Sequence, residues 1–373
     1  MTDDGADREA WLTLLLAPGV GPVTGMRLLE QHDSAAAALD AGPGAWRAAG
    51  LPDALHDALR RPAPDALDTC RRWLDGERRA LVTIDDARYP QRLLQTGCPP
   101  LALYCLGDPS LLAQEQIAIV GARSASAQGL EDARAFASEL ARAGLCVTSG
   151  MASGIDGAAH AAALDAGGAT IAVAGTGPDR VYPARHRALA HRIGDHGLLV
   201  SEFPPGTGAR PGHFPRRNRI IAGLALGVLV VEAAARSGSL ITAKLAAEYG
   251  REVLAVPGSI HRPLARGCNA LIREGAQLAE TVQDVLRALG RSTGGSAATL
   301  GPVTSSGASP ALSANAALTL DAVHDAGSAF DQLVARTGLD VQALSSALLE
   351  LEIAGLVASE PGGSFSRLAR ADA

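Results

Sequence analysis

Lysine is almost missing from this 373-residue chain: Lys244 stands alone against 32 arginines. Alanine is abundant, so the skew reads as compositional bias. A single arginine therefore says little, and a cluster of arginines without acids says more. Cysteine is sparse: Cys70, Cys98, Cys105, Cys146 and Cys268 are scattered, with no CxxC pair and no metal-ligand spacing. That excludes a disulfide scaffold or zinc ribbon and leaves small apolar fillers in a reducing compartment. No uninterrupted apolar run is long enough to span a membrane. The polar start MTDDGADREA does not read as a signal peptide, so the expectation is a soluble, cytoplasmic protein. The formal net charge of -6 excludes a uniformly basic nucleic-acid coat, so any anion site must be local.

Catalytic signatures are missing too. There is no GxxxxGK(S/T), which excludes a P-loop NTPase, and no HExxH. Gly175-Thr176-Gly177 lacks the third glycine and the downstream acid of a dinucleotide fingerprint. The one GxSxG match, Gly290–Gly294, falls in a Ser/Gly-rich stretch rather than a strand-turn-helix. Asp156 and Asp179 lie near loops, but no carboxylate pair stands at catalytic spacing. Neither a cofactor nor a metal is expected, and the chain reads as a binder rather than an enzyme.

What is present divides into four parts. Residues 1–78 read as a helical domain in which Gly19-Val20-Gly21 separates two apolar helical patterns. That turn is either a helix-hairpin-helix, whose amides can hold a phosphate, or a plain helical hairpin. Residues 79–290 alternate strand and helix. Strands are expected at Ala80–Thr83, Leu101–Leu106, Ile117–Val120, Cys146–Thr148, Thr170–Ala174, Gly197–Val200, Val228–Val231 and Glu252–Ala255. Apolar strands alternating with helices argue for an α/β fold: a Rossmann-like, doubly wound, mostly parallel sheet that binds ligand beyond its carboxyl ends. Residues 291–315 are a Ser/Gly/Ala/Thr linker. Residues 316–373 spell a winged helix-turn-helix: helices Phe330–Thr337 and Val341–Ala354, then strands Leu356–Ser359 and Ser364–Leu368.

Four expected strand ends carry glycine and small polar residues: Gly121-Ala122-Arg123, Ser149-Gly150 through Gly154, Gly175-Thr176-Gly177, and Ser237-Gly238-Ser239. Glycine permits close backbone approach to an anion, and amides at a helix start donate to it. Several such loops on one rim point to a phosphate-bearing ligand. Between the last two lies HFPRRNRIIAGL, a run of arginines (Arg216, Arg217, Arg219, with Arg210 upstream) that contains no acid. Phe214 in this run is either a core anchor or a base-stacking platform. Asn218 can cap or orient a loop. Lys244 is a surface charge or a phosphate contact. His160, on an alanine-rich helix, reads as structural.

The segments SGMASGIDGAAH, GTGPDRVYP, HFPRRNRIIAGL and ARSGSLITA, in that order, resemble the DNA-processing protein A family (DprA, also called Smf). The resemblance covers residues 80–290 densely and extends to the helical N-terminal region and the winged helix. It implies a homodimer, formed through the Rossmann-like domain, that binds and protects single-stranded DNA and loads RecA recombinase during natural transformation. It implies DNA contacts at Arg123 and Ser149–Gly154, around Arg210, Phe214, Arg216, Arg217 and Asn218, and at Ser237, Gly238 and Lys244. Two positions depart from the pattern. Ser153 stands where many relatives carry a basic residue, and Arg185-His186 replaces a pair containing Asn.

The helix VQALSSALLELEIAGL carries Glu350 and Glu352 and no Lys or Arg. DNA affinity rests on neutralising phosphates, so the winged helix is expected to have a protein-contact or regulatory role instead. The competing reading is a nucleotide enzyme of the phosphoribohydrolase type, whose PGGxGTxxE signature is absent. Glu232 is the only acid near the corresponding strand.

Overall fold

The computed structural model describes residues 4–32, 34–53, 56–60, 63–291, 312–324, 327–360 and 363–368. Six helices form the N-terminal part: α1 (Asp4–Leu16), α2 (Pro22–Glu30), α3 (Ala35–Asp40), α4 (Gly42–Ala48), α5 (His56–Arg60) and α6 (Pro64–Leu74). Gly19, at φ +79°, makes the α1–α2 turn, a left-handed conformation that glycine adopts at little cost. Trp11, Leu14, Leu28 and Trp46 close the core of this part.

The central part follows as β1 (Arg79–Thr83), α7 (Gln91–Leu94), β2 (Ala102–Gly107), β3 (Gln116–Val120), α8 (Ala127–Arg142), β4 (Cys146–Ser149) and α9 (Ile155–Asp165). It continues with β5 (Thr170–Val173), α10 (Arg187–His196), β6 (Leu198–Ser201), α11 (His213–Leu224), β7 (Gly227–Val230), α12 (Ser239–Glu248) and β8 (Glu252–Ala255). It ends with α13 (Arg266–Arg273), β9 (Gln277–Leu278) and α14 (Val282–Ala288). All nine strands join one sheet, ordered β1-β2-β6-β5-β4-β3-β7-β8-β9. Only β2 is reversed, pairing antiparallel with both β1 and β6. All eight expected strands are found, shifted by a residue at some ends. The ninth, β9, was missed because it is two exposed residues with no apolar run.

Side chains alternate across the sheet as a strand's period of two requires. Ile117, Ile119, Val147 and Leu229 face one core with α8 and α9. Ala118, Val120, Val228 and Val230 face the other, with α11 and α12. Helices therefore cover both faces. From β3 the chain steps outward to β4, β5 and β6, then returns through α11 to β7 on the far side of β3. Ala118 is flanked by Thr148 and Val228. The connections after β3 and β7 leave in opposite senses, and the crevice between them is where such sheets bind ligand.

The C-terminal part holds α15 (Ala314–Ala322), β10 (Ser328–Ala329), α16 (Phe330–Thr337), α17 (Val341–Ile353), β11 (Val357–Glu360) and β12 (Ser364–Arg367). Three strands, ordered β10-β12-β11, flank the helix pair, the layout of a winged helix. Most of the expected linker lies outside the described residues. Its last residues do not: Ser313 caps α15 by accepting from the Ala316 amide at 3.1 Å, so the folded part starts before residue 316. Among the described residues, no helix is long and apolar enough to cross a membrane.

Candidate nucleic-acid interface

A cleft of about 450 Å³ opens at the carboxyl end of the sheet. Helix α11 forms its floor, presenting Phe214, Arg217, Asn218 and Ile221. These positions are spaced three, four and seven apart, so they share one helical face. Opposite walls come from Gly121 and Arg123 after β3, Ala152 and Asp156 after β4, and Ser237-Gly238-Ser239 at the start of α12.

Arg217 is the centre of the cleft. Its side chain is only 4% exposed, yet it borders the open space. Nη1 donates to the Val173 carbonyl at 3.1 Å, and the buried Nε has no partner. Burial pulls its pKa down to about 10, against an opposing pull from Asp156, so the guanidinium remains charged at neutral pH. It lies flat over Gly150, where a Cβ would sit 1.5 Å from Nη1. Gly150 is therefore glycine to admit the arginine. An unpaired N–H on a buried cation is a costly arrangement, and an anion in the cleft that Arg217 borders would offset the charge.

Asp156 is the counterweight. It is buried and accepts from the amides of Gly150 and Ala152, both at 3.2 Å. Desolvation raises its pKa, while Arg217 and those amides act to lower it. Met151, between the two donors, takes a left-handed φ of +58°, a strained setting for a residue with a side chain. The His186 ring holds that turn, donating Nδ1–H to the Met151 carbonyl at 3.0 Å.

Above Arg217 stands an aromatic pair. Phe214 and Tyr182 have ring centroids 5.2 Å apart at 43°, and the Arg123 guanidinium lies 5.7 Å from the Phe214 centroid. Phe214 also packs over Gly175, where a Cβ would come within 2.9 Å of the ring. It is half-buried and borders the cleft. Tyr182 is 49% exposed and borders it as well. Sequence reasoning missed Tyr182. Its signal was weak: an aromatic in an irregular segment after β5.

The remaining expected residues divide. Gly121 and Gly154 set backbone geometry. Gly154 has φ +76°, and a Cβ there would strike the Ala122 carbonyl at 2.2 Å; next to it, the Ile155 amide donates to that carbonyl at 3.2 Å. Asn218 orients a loop, its Nδ2 donating to the Gly238 carbonyl at 3.4 Å. The Ser237 and Ser239 hydroxyls bond each other at 2.7 Å. Arg210 and Lys244 are exposed and lie outside the residues that line the cleft.

Three expectations change. The Ser149 hydroxyl is buried and donates to the Ile119 carbonyl at 2.6 Å, and the Gly150 amide is spent on Asp156, so this loop holds an internal carboxylate. At the start of α8, Glu232 accepts from the Ser126 amide and hydroxyl at 2.9 and 2.6 Å. The arginine run is not acid-free in space, because Glu202 folds against it. Arg219 is buried, pairs with Glu202 and donates to the Cys98 carbonyl. Arg216 pairs with Glu202 at 3.0 Å and covers Phe203. Helical phase separates these roles: residues 216 and 219 fall off the 214/217/218/221 face. His160 is structural, as expected. Fully buried, it donates Nδ1–H to Thr170 Oγ1 at 2.7 Å, and burial pushes its pKa down to about 3, leaving a neutral ring.

The sequence matches the family model described as DNA recombination-mediator protein A over residues 80–290. Models for a DprA-like N-terminal helix-hairpin-helix domain and a DprA winged helix domain match residues 5–59 and 303–363. The chain belongs to the DprA/Smf family. Protein Smf of Escherichia coli is 42% identical over 307 residues, 80% of each chain. DNA processing protein DprA of Streptococcus pneumoniae is 48% identical over 203 residues, 54% of this chain and 71% of that one. The X-ray structure of the pneumococcal DprA superposes with a TM-score of 0.67 at 36% identity, covering 75% of this chain and 97% of that one. A Helicobacter pylori DprA structure, described by its single-stranded DNA binding mode, gives a TM-score of 0.52 at 29% identity, covering 56% and 95%. In this DprA-family chain the named motifs converge on the rim of one cleft.

Proposed function

We propose that this protein grips single-stranded DNA in the α11 cleft, protects it, and loads RecA recombinase onto it during natural transformation. The observation that carries the reading is Arg217: a largely buried, charged guanidinium that borders the cleft, set beside the Phe214–Tyr182 pair. A phosphate offsets the charge, and a base stacks on the rings. The narrow cleft suits splayed single strands better than a duplex. We assign the phosphate contacts to Arg217 and Arg123, supported by the open α12 start at Gly238. Arg210 and Lys244 extend the path outside the cleft, and Phe214 with Tyr182 forms the stacking platform. The protein works in the cytoplasm as a homodimer through the Rossmann-like domain. Exposed Leu278, on the open β9 edge, favours pairing there. The winged helix contacts protein.

The phosphoribohydrolase alternative needs a free carboxylate, and Glu232 is already held by two hydrogen bonds from Ser126. Release of free base from a nucleoside monophosphate would revive that alternative. The direct test is a gel shift of single- against double-stranded oligonucleotide with wild type and Arg123→Ala/Arg217→Ala. Preference for the single strand, lost in the variant, is expected. Unchanged binding by the variant would remove the cleft from the reading.

A further inference from the structure

The larger cavity of the central domain, about 820 Å³, lies at the opposite end of the sheet from the DNA cleft. It gathers where α11, α12 and α14 end, with Leu224, Gly250 and Leu289 on its walls. Leu112 and Leu226 make its floor apolar. Arg88, Arg92 and Arg251 ring it. Arg88 is paired to Asp86. Arg92 and Arg251 form no ion pair among the described residues. Arg251 donates Nη2–H to the Arg92 carbonyl at 2.9 Å and to Gln95 Oε1 at 3.2 Å. Its buried Nε has no partner. The one acid on the wall, Glu252, accepts from Gln277 at 2.8 Å.

We infer that this cavity is a docking site for an acidic peptide segment of a partner protein that also carries bulky apolar side chains. Two features choose peptide over nucleic acid, an aliphatic floor and the lack of a free ring. The helix ends take no part, because the Tyr249, Gly250 and Arg251 amides cap the last carbonyls of α12 and those of Leu289, Gly290 and Arg291 cap α14. The arginines match carboxylates as forks, and the aliphatic floor receives a Leu or Phe side chain. Tyr89, the one aromatic on the wall, is 2% exposed, with its hydroxyl bonded to the Pro100 carbonyl at 2.6 Å, so no ring is free to stack on a base. The volume is that of a site which encloses a few residues. Because the two sites sit at opposite ends of the strands, a partner can be held while DNA occupies the other.

The test uses the full-length protein and a fluorescein-labelled peptide, Asp-Asp-Glu-Leu-Leu-Phe, read by anisotropy. Saturable binding is expected, at least about tenfold tighter than for a control with lysines in place of the acids. Arg92→Glu should weaken it by about tenfold or more, and Arg92→Glu/Arg251→Glu should abolish it. Both variants should keep wild-type affinity for a labelled oligothymidylate, which shows that the domain is folded and the DNA cleft intact. Equal binding of the two peptides would overturn the proposal. So would full retention of peptide affinity in Arg92→Glu, or displacement of the peptide by oligothymidylate.

Discussion

Replacing Arg217 with methionine separates the cleft's two debts, one to the fold and one to DNA. The variant keeps an apolar stem but loses the hydrogen bond to the Val173 carbonyl and the cation that opposes Asp156. Arg217 acts on Asp156 as a nearby charge and not as a salt-bridge partner, and Asp156 retains the Gly150 and Ala152 amides. The cost where it stays ionised therefore falls below that of a broken buried ion pair, about 3–5 kcal/mol. Its pKa is already raised by burial, with Arg217 pulling it down, and removing Arg217 lets it rise further. A carboxyl with a raised pKa in the folded state binds protons that the unfolded chain has released. Stability therefore falls as pH climbs from about 4 through the folded pKa, by about 1.4 kcal/mol for each pH unit that separates the folded from the unfolded pKa. Arg217→Met should thus be markedly less stable than wild type at pH 8 and closer to it at pH 5. Asp156→Asn/Arg217→Met should regain most of the stability at pH 8, with single-stranded DNA affinity still down by about 2–3 kcal/mol, roughly 30- to 150-fold. Urea unfolding followed by far-UV circular dichroism is the assay, because Trp11, Trp46 and Trp73 all lie in the N-terminal helices. An equal loss at both pH values, or a double variant no more stable than Arg217→Met, would refute the coupling.

Gly150→Ala should cut DNA affinity at least about tenfold, since the new methyl displaces the Arg217 guanidinium; titration of a labelled oligonucleotide checks it. Tyr182→Ala should cost about 1–3 kcal/mol of binding at any salt concentration, the size of one lost stacking contact. The affinity of the wild type should fall with salt at a log–log slope of about -2, as for about three neutralised phosphates; a flat response would contradict the cation assignment. Arg219→Ala should act the other way round, losing about 3 kcal/mol of stability while DNA affinity stays within about threefold, because its charge is committed to Glu202.

The strand pattern was legible because a sheet covered on both faces needs near-continuous apolar strands, and QIAIV, CVTS and GVLV leave no other reading. Gly-Val-Gly between two apolar runs likewise located the α1–α2 turn. β9 was invisible, since two exposed residues carry no periodicity. In the cleft, the residue types were legible in the sequence and their partners were not. Ser149, Arg216 and Arg219 looked available because their partners, Ile119, Glu202 and Cys98, are distant in sequence. The pairing of β3 with β4 and the packing of α11 against the end of β6 bring these groups together. Within α11, however, a signal was present and unused: the 214/217/218/221 spacing already sorts the arginine that faces the cleft from those that face Glu202.

That sorting bears on how an acidic protein builds an anion site. Clustered arginines repel one another, and the structure disposes of the excess by pairing two of them with one glutamate. Asp156 and Glu232 do the same for two backbone turns, occupying amides that an external phosphate would otherwise take. The cleft is left with Arg123 at its mouth and Arg217 below, one screened by water and the other not. Because an interaction in a low-dielectric setting is worth several times its value in water, most of the phosphate affinity should rest on Arg217. The external charge then tunes salt dependence and encounter rate more than the strength of the final complex.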